Sequence, residues 1–258
     1  MTQGQKVIKY IALSFACFLI FTILSSIFSL IYGIFNFKSE DFTNIELTQE
    51  NIKKLDIDLN SSSLIIKESE NFSIETNNKN LKVKQDEGKL KIEEKGLKFG
   101  NGKVILNIKK DFAFEDIKIN TGAGVLEVDN LQTRNLNLDL GAGKASFKNL
   151  ISYNSKIDSG VGEFVIEKGL LNDLDLDMGI GKTLITSIIT GKTNLNTGIG
   201  GLTLNIIGNT SDYKFKVDKG IGNVTLNGKT LSDGSVVGNG DNYIYINSGI
   251  GEVKININ

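Results

Sequence analysis

Apolar and polar residues alternate along most of the chain after residue 51, and the tripeptide Gly-x-Gly interrupts the alternation at regular intervals. Seven frames have an aliphatic residue between the two glycines, and their first glycines are 19, 19, 19, 19, 22 and 29 residues apart. Self-similarity at a fixed period indicates a repeat architecture, in which each unit packs on its neighbours. The glycine pairs are Gly122 and Gly124, Gly141 and Gly143, Gly160 and Gly162, Gly179 and Gly181, Gly198 and Gly200, Gly220 and Gly222, and Gly249 and Gly251.

Columns of equivalent residues appear when the frames are aligned on the first glycine. Residues four and six positions after it are mostly apolar, and the period of two is typical of a half-buried strand. The residue three positions before it is always aliphatic: Ile119, Leu138, Ile157, Leu176, Leu195, Val217 and Ile246. The residue between the two glycines is also aliphatic: Ala123, Ala142, Val161, Ile180, Ile199, Ile221 and Ile250.

These columns predict the fold class. A 19-residue repeat has a perimeter of about 60 Å at roughly 3.3 Å per residue, which suits one turn of a β-solenoid. An antiparallel meander would also alternate, but it has no reason to keep a constant frame. We therefore expect an all-β, single-sheet-wall β-solenoid with β-helix-like repeats, in which the glycines form corners and the aliphatic columns form one core.

One column contains only Asp and Asn, two residues before the first glycine: Asn120, Asp139, Asp158, Asp177, Asn196, Asp218 and Asn247. Asp158 lies in KIDSGVGEF, where an aliphatic residue followed by Asp-Ser-Gly resembles half of an aspartic-protease site. A catalytic acid cannot be replaced by Asn, whereas a side chain that bonds its own backbone near a corner can be either. We interpret the column as a structural ladder, the Asx ladder, and not as a catalytic site.

Calcium binding is the second alternative for this column, because repeated Gly and Asp also occur in nonapeptide calcium-binding rolls. Those rolls place Asp after the glycines, where this chain has Lys144 and Lys182 in two frames. Lysine argues against a cation site. We expect neither a metal nor a cofactor.

Composition limits the chemistry further. The chain has no His, Trp or Pro and a single Cys among 258 residues. It cannot form a Ser-His-Asp or Cys-His catalytic site or a Cys/His zinc site. Polysaccharide-lyase solenoids need Arg, Lys and acids clustered in one groove, and no frame shows such a cluster. We expect a protein without enzymatic activity.

The N-terminal pattern is different from the repeats. Between Lys9 and Lys38 lie 28 uncharged, mostly apolar residues. As a helix they would extend about 42 Å, enough to cross a hydrocarbon core of about 30 Å. A cleaved signal peptide has a much shorter apolar region, and the residues before Cys17 lack the aliphatic start usual in lipoproteins. We predict one transmembrane α-helix at 10–37.

Basic residues precede this helix and acids follow it, so the positive-inside rule predicts a cytoplasmic tip at 1–9. We expect a polar stalk at 38–50 and an extracytoplasmic domain at 51–258, in the membrane of a bacterial cell. The exported part has 30 acids and 27 bases, a net charge of −3. Arg134 is the only arginine and the lysines are dispersed among acids, so we expect no nucleic-acid binding.

Two regions depart from the regular frame. Residues 51–115 predict irregular N-terminal coils, of which KLDIDLNSSSLIIKE fits the frame with Asn60 and Ser62 at the glycine positions. Near the C-terminus, the spacings of 22 and 29 indicate insertions. The larger insertion falls in Asn227 to Asn242, a polar loop where binding could be located.

The chain combines a basic tip, one apolar segment, alternating strands and the stretch AFEDIKINTGAGVLEVDNLQTRNLNLDLGAGKASF. In these features it resembles the bacterial putative-adhesin domain of unknown function, which is related to toast-rack domains. Members usually carry a proline before the first good repeat, which this chain lacks. The resemblance implies a membrane-anchored surface domain that binds without catalysis. We expect the partner to be a cell-wall polymer or a surface protein. The alternative is an envelope-stress sensor or regulatory scaffold.

Overall fold

The computed structural model describes residues 41–47, 52–96 and 102–258. These residues belong to one compact unit that begins at Asp41. The predicted cytoplasmic tip and transmembrane helix lie outside the described residues. Among the residues that are described, no helix has the length and apolarity needed to cross a membrane.

The described chain is built from strands, so the predicted all-β class is confirmed. Its helical content is one 3-10 turn at Thr210–Asp212. The strands are β1 (Thr43–Glu46), β2 (Lys54–Leu59), β3 (Ser63–Ser69), β4 (Ser73–Thr76), β5 (Leu81–Asp86), β6 (Lys89–Glu94), β7 (Lys103–Lys109), β8 (Ala113–Asp158), β9 (Val161–Ile166), β10 (Gly169–Asn172), β11 (Leu174–Thr190), β12 (Lys192–Ile206), β13 (Tyr213–Leu226), β14 (Lys229–Thr230), β15 (Val236–Gly238) and β16 (Asn242–Ile257).

Successive repeats stack as parallel coils. Strand β11 pairs with β12 so that Leu176 lies beside Leu195, and β9 pairs with β11 so that Ile166 lies beside Ile185. Each partner is 19 residues away, the period of the sequence. All four of these side chains are fully buried, because the alternation turns one face of every strand inward. The core is therefore a set of aliphatic columns along the stack.

The stacking order at the C-terminal end differs from the chain order. Strand β16 lies between β12 and β13, in parallel with both, so that Ile246 pairs with Leu195 on one side and Val217 on the other. The 3-10 turn at Thr210–Asp212 occupies the short insertion, and it carries the chain past a space one coil wide. The chain then forms β13 and returns to fill that space with its last strand.

A similar exchange occurs at the N-terminal end. Strands β2 and β3 lie between β8 and the pair β6 and β7, so that Leu55 pairs with both Leu90 and Ile117. Leu64 pairs with Leu126 in the same register. The corner of this coil, formed by Asn60 to Ser62, therefore lies beside the first glycine pair.

Antiparallel strands cover the edges of the stack. Strand β4 pairs with β7, β1 with β4, and β5 with β6 at one end, while β14 and β15 pair with β13 at the other. Such covering protects edge strands from pairing with other chains. Part of the segment expected to be a polar stalk is therefore strand β1 of the domain. The polar loop at Asn227 to Asn242 is largely an edge cover.

Candidate functional site

The Gly-x-Gly corners require glycine for two physical reasons. The second glycine of every pair has a φ between +139° and +149°, which L-residues with side chains rarely adopt. A Cβ at Gly181 would also lie 1.8 Å from the carbonyl oxygen of Gly162 in the neighbouring coil. The first glycines have the same lack of space, since a Cβ at Gly141 would lie 1.9 Å from the oxygen of Gly122. The corners bring backbones of adjacent coils into close contact.

The predicted Asx ladder occupies one outward column, and several of its members bond across coils. The amide of Asn196 donates to Asp177 Oδ1 at 2.7 Å, and that of Asn247 donates to Asn196 Oδ1 at 3.4 Å. Asp158 Oδ1 accepts a long hydrogen bond, 3.5 Å, from the backbone N–H of Gly160. Asp158 is also in register with Asp177. The carboxylate in the protease-like motif thus lies on the outer surface as one position of a repeated column.

Two further outward columns run beside the Asx ladder, and together the three columns form a flat surface that we call the polar wall. It extends over nine parallel strands, about 40 Å at roughly 4.8 Å per strand. In stacking order its residues are Lys89, Lys91, Glu93; Lys54, Asp56, Asp58; Asp116, Lys118, Asn120; Asn135, Asn137, Asp139; Asn154, Lys156, Asp158; Asp173, Asp175, Asp177; Lys192, Asn194, Asn196; Tyr243, Tyr245, Asn247; and Lys214, Lys216, Asp218.

Side-chain bonds hold the polar wall in a regular arrangement. Asn154 donates to Asn135 Oδ1 at 3.1 Å, and Asn135 donates to Asp116 Oδ1 at 2.7 Å. Lys54 Nζ lies 2.7 Å from Asp116 Oδ2. The Lys54 ammonium and the Asn135 amide hold the pKa of Asp116 below its ordinary value. This second ladder was not among the predicted columns, which lie within three residues before and six residues after the first glycine. The signal was present, as these residues are 19 positions apart.

Two tyrosines lie at the C-terminal end of the polar wall. Tyr245 donates to Asp218 Oδ2 at 2.5 Å, and Lys216 Nζ lies 5.0 Å from the centroid of its ring. The hydrogen bond to Asp218 raises the pKa of the Tyr245 hydroxyl above its usual value. Tyr243 lies between Lys192 and Lys214 on the neighbouring strands. This end combines aromatic rings with fixed carboxylate, amide and ammonium groups.

The partly buried carboxylate of Glu94 binds the corner formed by Asn60 to Ser62. Glu94 Oε2 accepts hydrogen bonds from the backbone N–H groups of Asn60, Ser61 and Ser62 at 2.8, 2.9 and 3.2 Å. Glu94 Oε1 accepts from Ser62 Oγ at 2.9 Å and from the Asn78 amide at 2.7 Å. Partial burial by itself would raise its pKa, but these donors lower it. Glu94 thus satisfies three backbone N–H groups of the corner at Asn60 to Ser62.

The residue between the two glycines lies outside the core, contrary to the expectation that the aliphatic columns are buried. The side chains of Ile180, Ile199, Ile250 and Ile221 are 52, 51, 50 and 73% exposed. They are adjacent in the stack, since Ile199 pairs with Ile180 and Ile250, and Ile250 pairs with Ile221. The chain turns at this corner, where the second glycine has a positive φ, and the side chain between the two glycines faces solvent. We call the column the aliphatic ridge.

Within 41–47, 52–96 and 102–258, no group of three or more Asp, Glu, Cys or His side chains is arranged to hold a metal ion. A depression of about 250 Å³ on the polar wall is lined by Lys54, Asp56, Lys89 and Asp116 among others. Lys89 lies 2.6 Å from Asp56, and Lys54 lies 2.7 Å from Asp116. Both aspartates of this depression are therefore already paired with a lysine.

Comparison with known proteins places this repeat architecture in a family. The family model Toastrack DUF4097 matches residues 37–236, most of the chain. The chain belongs to the Toastrack DUF4097 family. No curated protein sequence matches it.

Solved structures similar to this Toastrack chain are of low sequence identity. A putative cell adhesion protein from Clostridium sporogenes is 19% identical, with 85% of this chain and 100% of that chain covered and a TM-score of 0.38. A putative adhesin from Bacteroides fragilis is 12% identical, with 84% and 98% covered and a TM-score of 0.40. A putative lipid binding protein from Parabacteroides distasonis is 14% identical, with 84% and 97% covered and a TM-score of 0.28.

Proposed function

We propose that this chain is a membrane-anchored, extracytoplasmic β-solenoid that binds a cell-wall polysaccharide through its polar wall and has no catalytic activity. The observation that carries the proposal is the repetition of fixed polar groups along the wall. Amide, carboxylate and ammonium groups recur at the strand spacing of roughly 4.8 Å. A polymer with repeating hydroxyl groups can use the same contact many times on such a surface.

The tyrosine end of the polar wall gives this surface an anchor for a sugar ring. Aromatic side chains supply flat apolar area at a small cost in conformational entropy. Tyr245 is held in place by Asp218 and Lys216, so its orientation is already determined before binding. The neighbouring Lys192 and Asn194 lie beside Tyr243 and Tyr245 in register and can donate hydrogen bonds to hydroxyl or acidic groups of a glycan.

The location of the domain is part of the proposal. The positive-inside pattern of Lys6 and Lys9 before the apolar segment, with acids after it, supports a cytoplasmic N-terminus. The domain would then face the cell wall from the outer side of the membrane.

The test is binding of residues 41–258, the compact unit, to purified peptidoglycan and to soluble wall polysaccharide. We expect saturable binding that Tyr243→Ala weakens about tenfold, the effect of removing one aromatic anchor. Tyr153→Ala is the matched control, because Tyr153 is 56% exposed but lies outside the polar wall. Absence of binding to every wall fraction, or equal loss in both variants, would contradict the proposal.

A further inference from the structure

The aliphatic ridge is an apolar surface that the proposed binding function does not use. It runs across seven coils in the order Ala123, Ala142, Val161, Ile180, Ile199, Ile250 and Ile221. Its length is about 29 Å at roughly 4.8 Å per coil. Glycines flank every member, so each side chain projects from bare backbone. Its four isoleucines are half or more exposed, whereas Ala123, Ala142 and Val161 are partly buried, and a contiguous apolar row at the surface is a candidate interaction surface.

The size of the ridge side chains changes from one end of the ridge to the other, and this gradient fits a second copy of the chain. The ridge side chains grow from Ala at one end, through Val, to four isoleucines at the other. If a second copy lies antiparallel with Ile180 on the two-fold axis, each small residue faces a large one. Ala123 then faces Ile221, Ala142 faces Ile250, and Val161 faces Ile199. A parallel arrangement would leave a gap at the alanine end, where small residues face each other.

Charges beside the ridge agree with the same arrangement. The outward column two residues beyond the ridge contains Lys144, Glu163, Lys182 and Glu252. In the antiparallel arrangement this column faces itself, so Lys144 of one copy faces Glu252 of the other. The two Lys182 side chains meet near the axis, and Glu163 of the opposite copy lies one coil away from each. Lys144 contacts Glu163 of its own copy and Glu252 contacts Lys254 of its own copy, both at 3.0 Å, so the contact between Lys144 and Glu252 would join two existing ion pairs.

We propose that the aliphatic ridge is a self-association surface, on which two copies of this chain pack antiparallel about a two-fold axis at Ile180. Such a contact is isologous, with the same surface contributed by both copies. The buried area is that of a single row of side chains, below the roughly 800 Å² per partner of a standard interface. The dimer is therefore weak and forms where the local concentration of the chain is high.

Cysteine cross-linking of the full-length chain tests the arrangement, with Cys17→Ser as the background and a short bifunctional maleimide added to the producing cells. Ile180→Cys should cross-link to itself, because both copies of this residue lie at the axis. Ile221→Cys alone should not, since its two copies lie about 29 Å apart at roughly 4.8 Å per coil. A cross-link should also form between two differently tagged copies when one carries Ala123→Cys and the other carries Ile221→Cys. We call this product the mixed cross-link.

The controls separate this arrangement from the alternatives. Ile207 is 46% exposed but lies off the ridge. The variant Ile207→Cys should therefore give no cross-linked dimer. The double variant Ile180→Asp with Ile199→Asp should abolish the mixed cross-link without lowering the denaturation midpoint, because both side chains are half exposed. Self-cross-linking of equal efficiency at every ridge position would show a parallel arrangement and overturn the proposal. Failure of Ile180→Cys to dimerise, or cross-linking only to other proteins, would overturn it as well.

Discussion

Replacing one corner glycine by alanine tests whether contact between coils controls stability. Gly181 and Gly124 have nearly the same φ, +146° and +149°, but different surroundings. A Cβ at Gly181 would lie 1.8 Å from the Gly162 oxygen, whereas a Cβ at Gly124 would lie 3.4 Å from the Ser62 oxygen. The pair therefore separates the cost of the backbone conformation from the cost of the close approach.

The conformational cost is common to both variants and amounts to about 1–3 kcal/mol. Only Gly181→Ala must also move its neighbouring coil, by about 1.2 Å if the Cβ is to reach the 3.0 Å below which such contacts essentially never occur. This shift would stretch the 2.9 Å hydrogen bond from Ile180 N–H to Gly160 O beyond bonding range. Loss of two or three such bonds costs about 2–3 kcal/mol at roughly 1 kcal/mol each.

Urea denaturation of residues 41–258 measures both costs. We expect Gly124→Ala to lose about 1–3 kcal/mol and Gly181→Ala about 2–3 kcal/mol more, from the sum of strain and lost hydrogen bonds. Gly228→Ala is a further control, because its φ is +78° and no atom lies within 4 Å of the added Cβ. Equal destabilisation by Gly124→Ala and Gly181→Ala would refute the argument that coil contact adds to the conformational cost.

Three other predictions concern single groups. Glu94→Gln should destabilise the domain by about 1–3 kcal/mol, since hydrogen bonds to a charged acceptor are lost. Because folding lowers the pKa of Glu94, its contribution is present above the unfolded pKa and disappears as pH falls through the folded one. Wild type should thus lose more stability than Glu94→Gln in acid denaturation, and parallel curves would contradict this. Asp158→Asn should change the free energy of unfolding, measured by urea denaturation, by no more than about 0.5 kcal/mol, since Asn occupies the same column elsewhere. A larger loss would mean a specific role for this carboxylate. Chelators should leave the melting temperature in calorimetry unchanged, and a reproducible calcium-dependent shift would reopen the metal interpretation.

The sequence predicted well which side chains are buried in the coils, because the same aligned position is aliphatic in every frame. Leu176, Leu195 and Ile246 occupy one aligned position and are all fully buried, because a period of two admits one inward face. The outward position of Ile180 was not predictable in the same way. Its side chain is as apolar as theirs, and only the turn of the backbone between two glycines directs it to solvent.

The order of the coils could not be predicted from the columns. Val217 and Ile246 are both β-branched aliphatic residues, so their chemistry does not say which one packs on Leu195. The spacings of 22 and 29 indicated insertions but not an exchange of neighbours. The polar wall was predictable from the same alignment, because Asp116, Asn135 and Asn154 all lie six residues before the first glycine of their frames.

The insertion of β16 between β12 and β13 has a consequence for biosynthesis. A ribosome releases β13 first, when the strand that must lie on its inner side has not yet been made. The domain can therefore complete its C-terminal end only after the last residues have left the exit tunnel. A premature stop before Asn242 would remove one coil directly and leave β13 without the neighbour on which it stacks, so a short truncation would disorganise two coils.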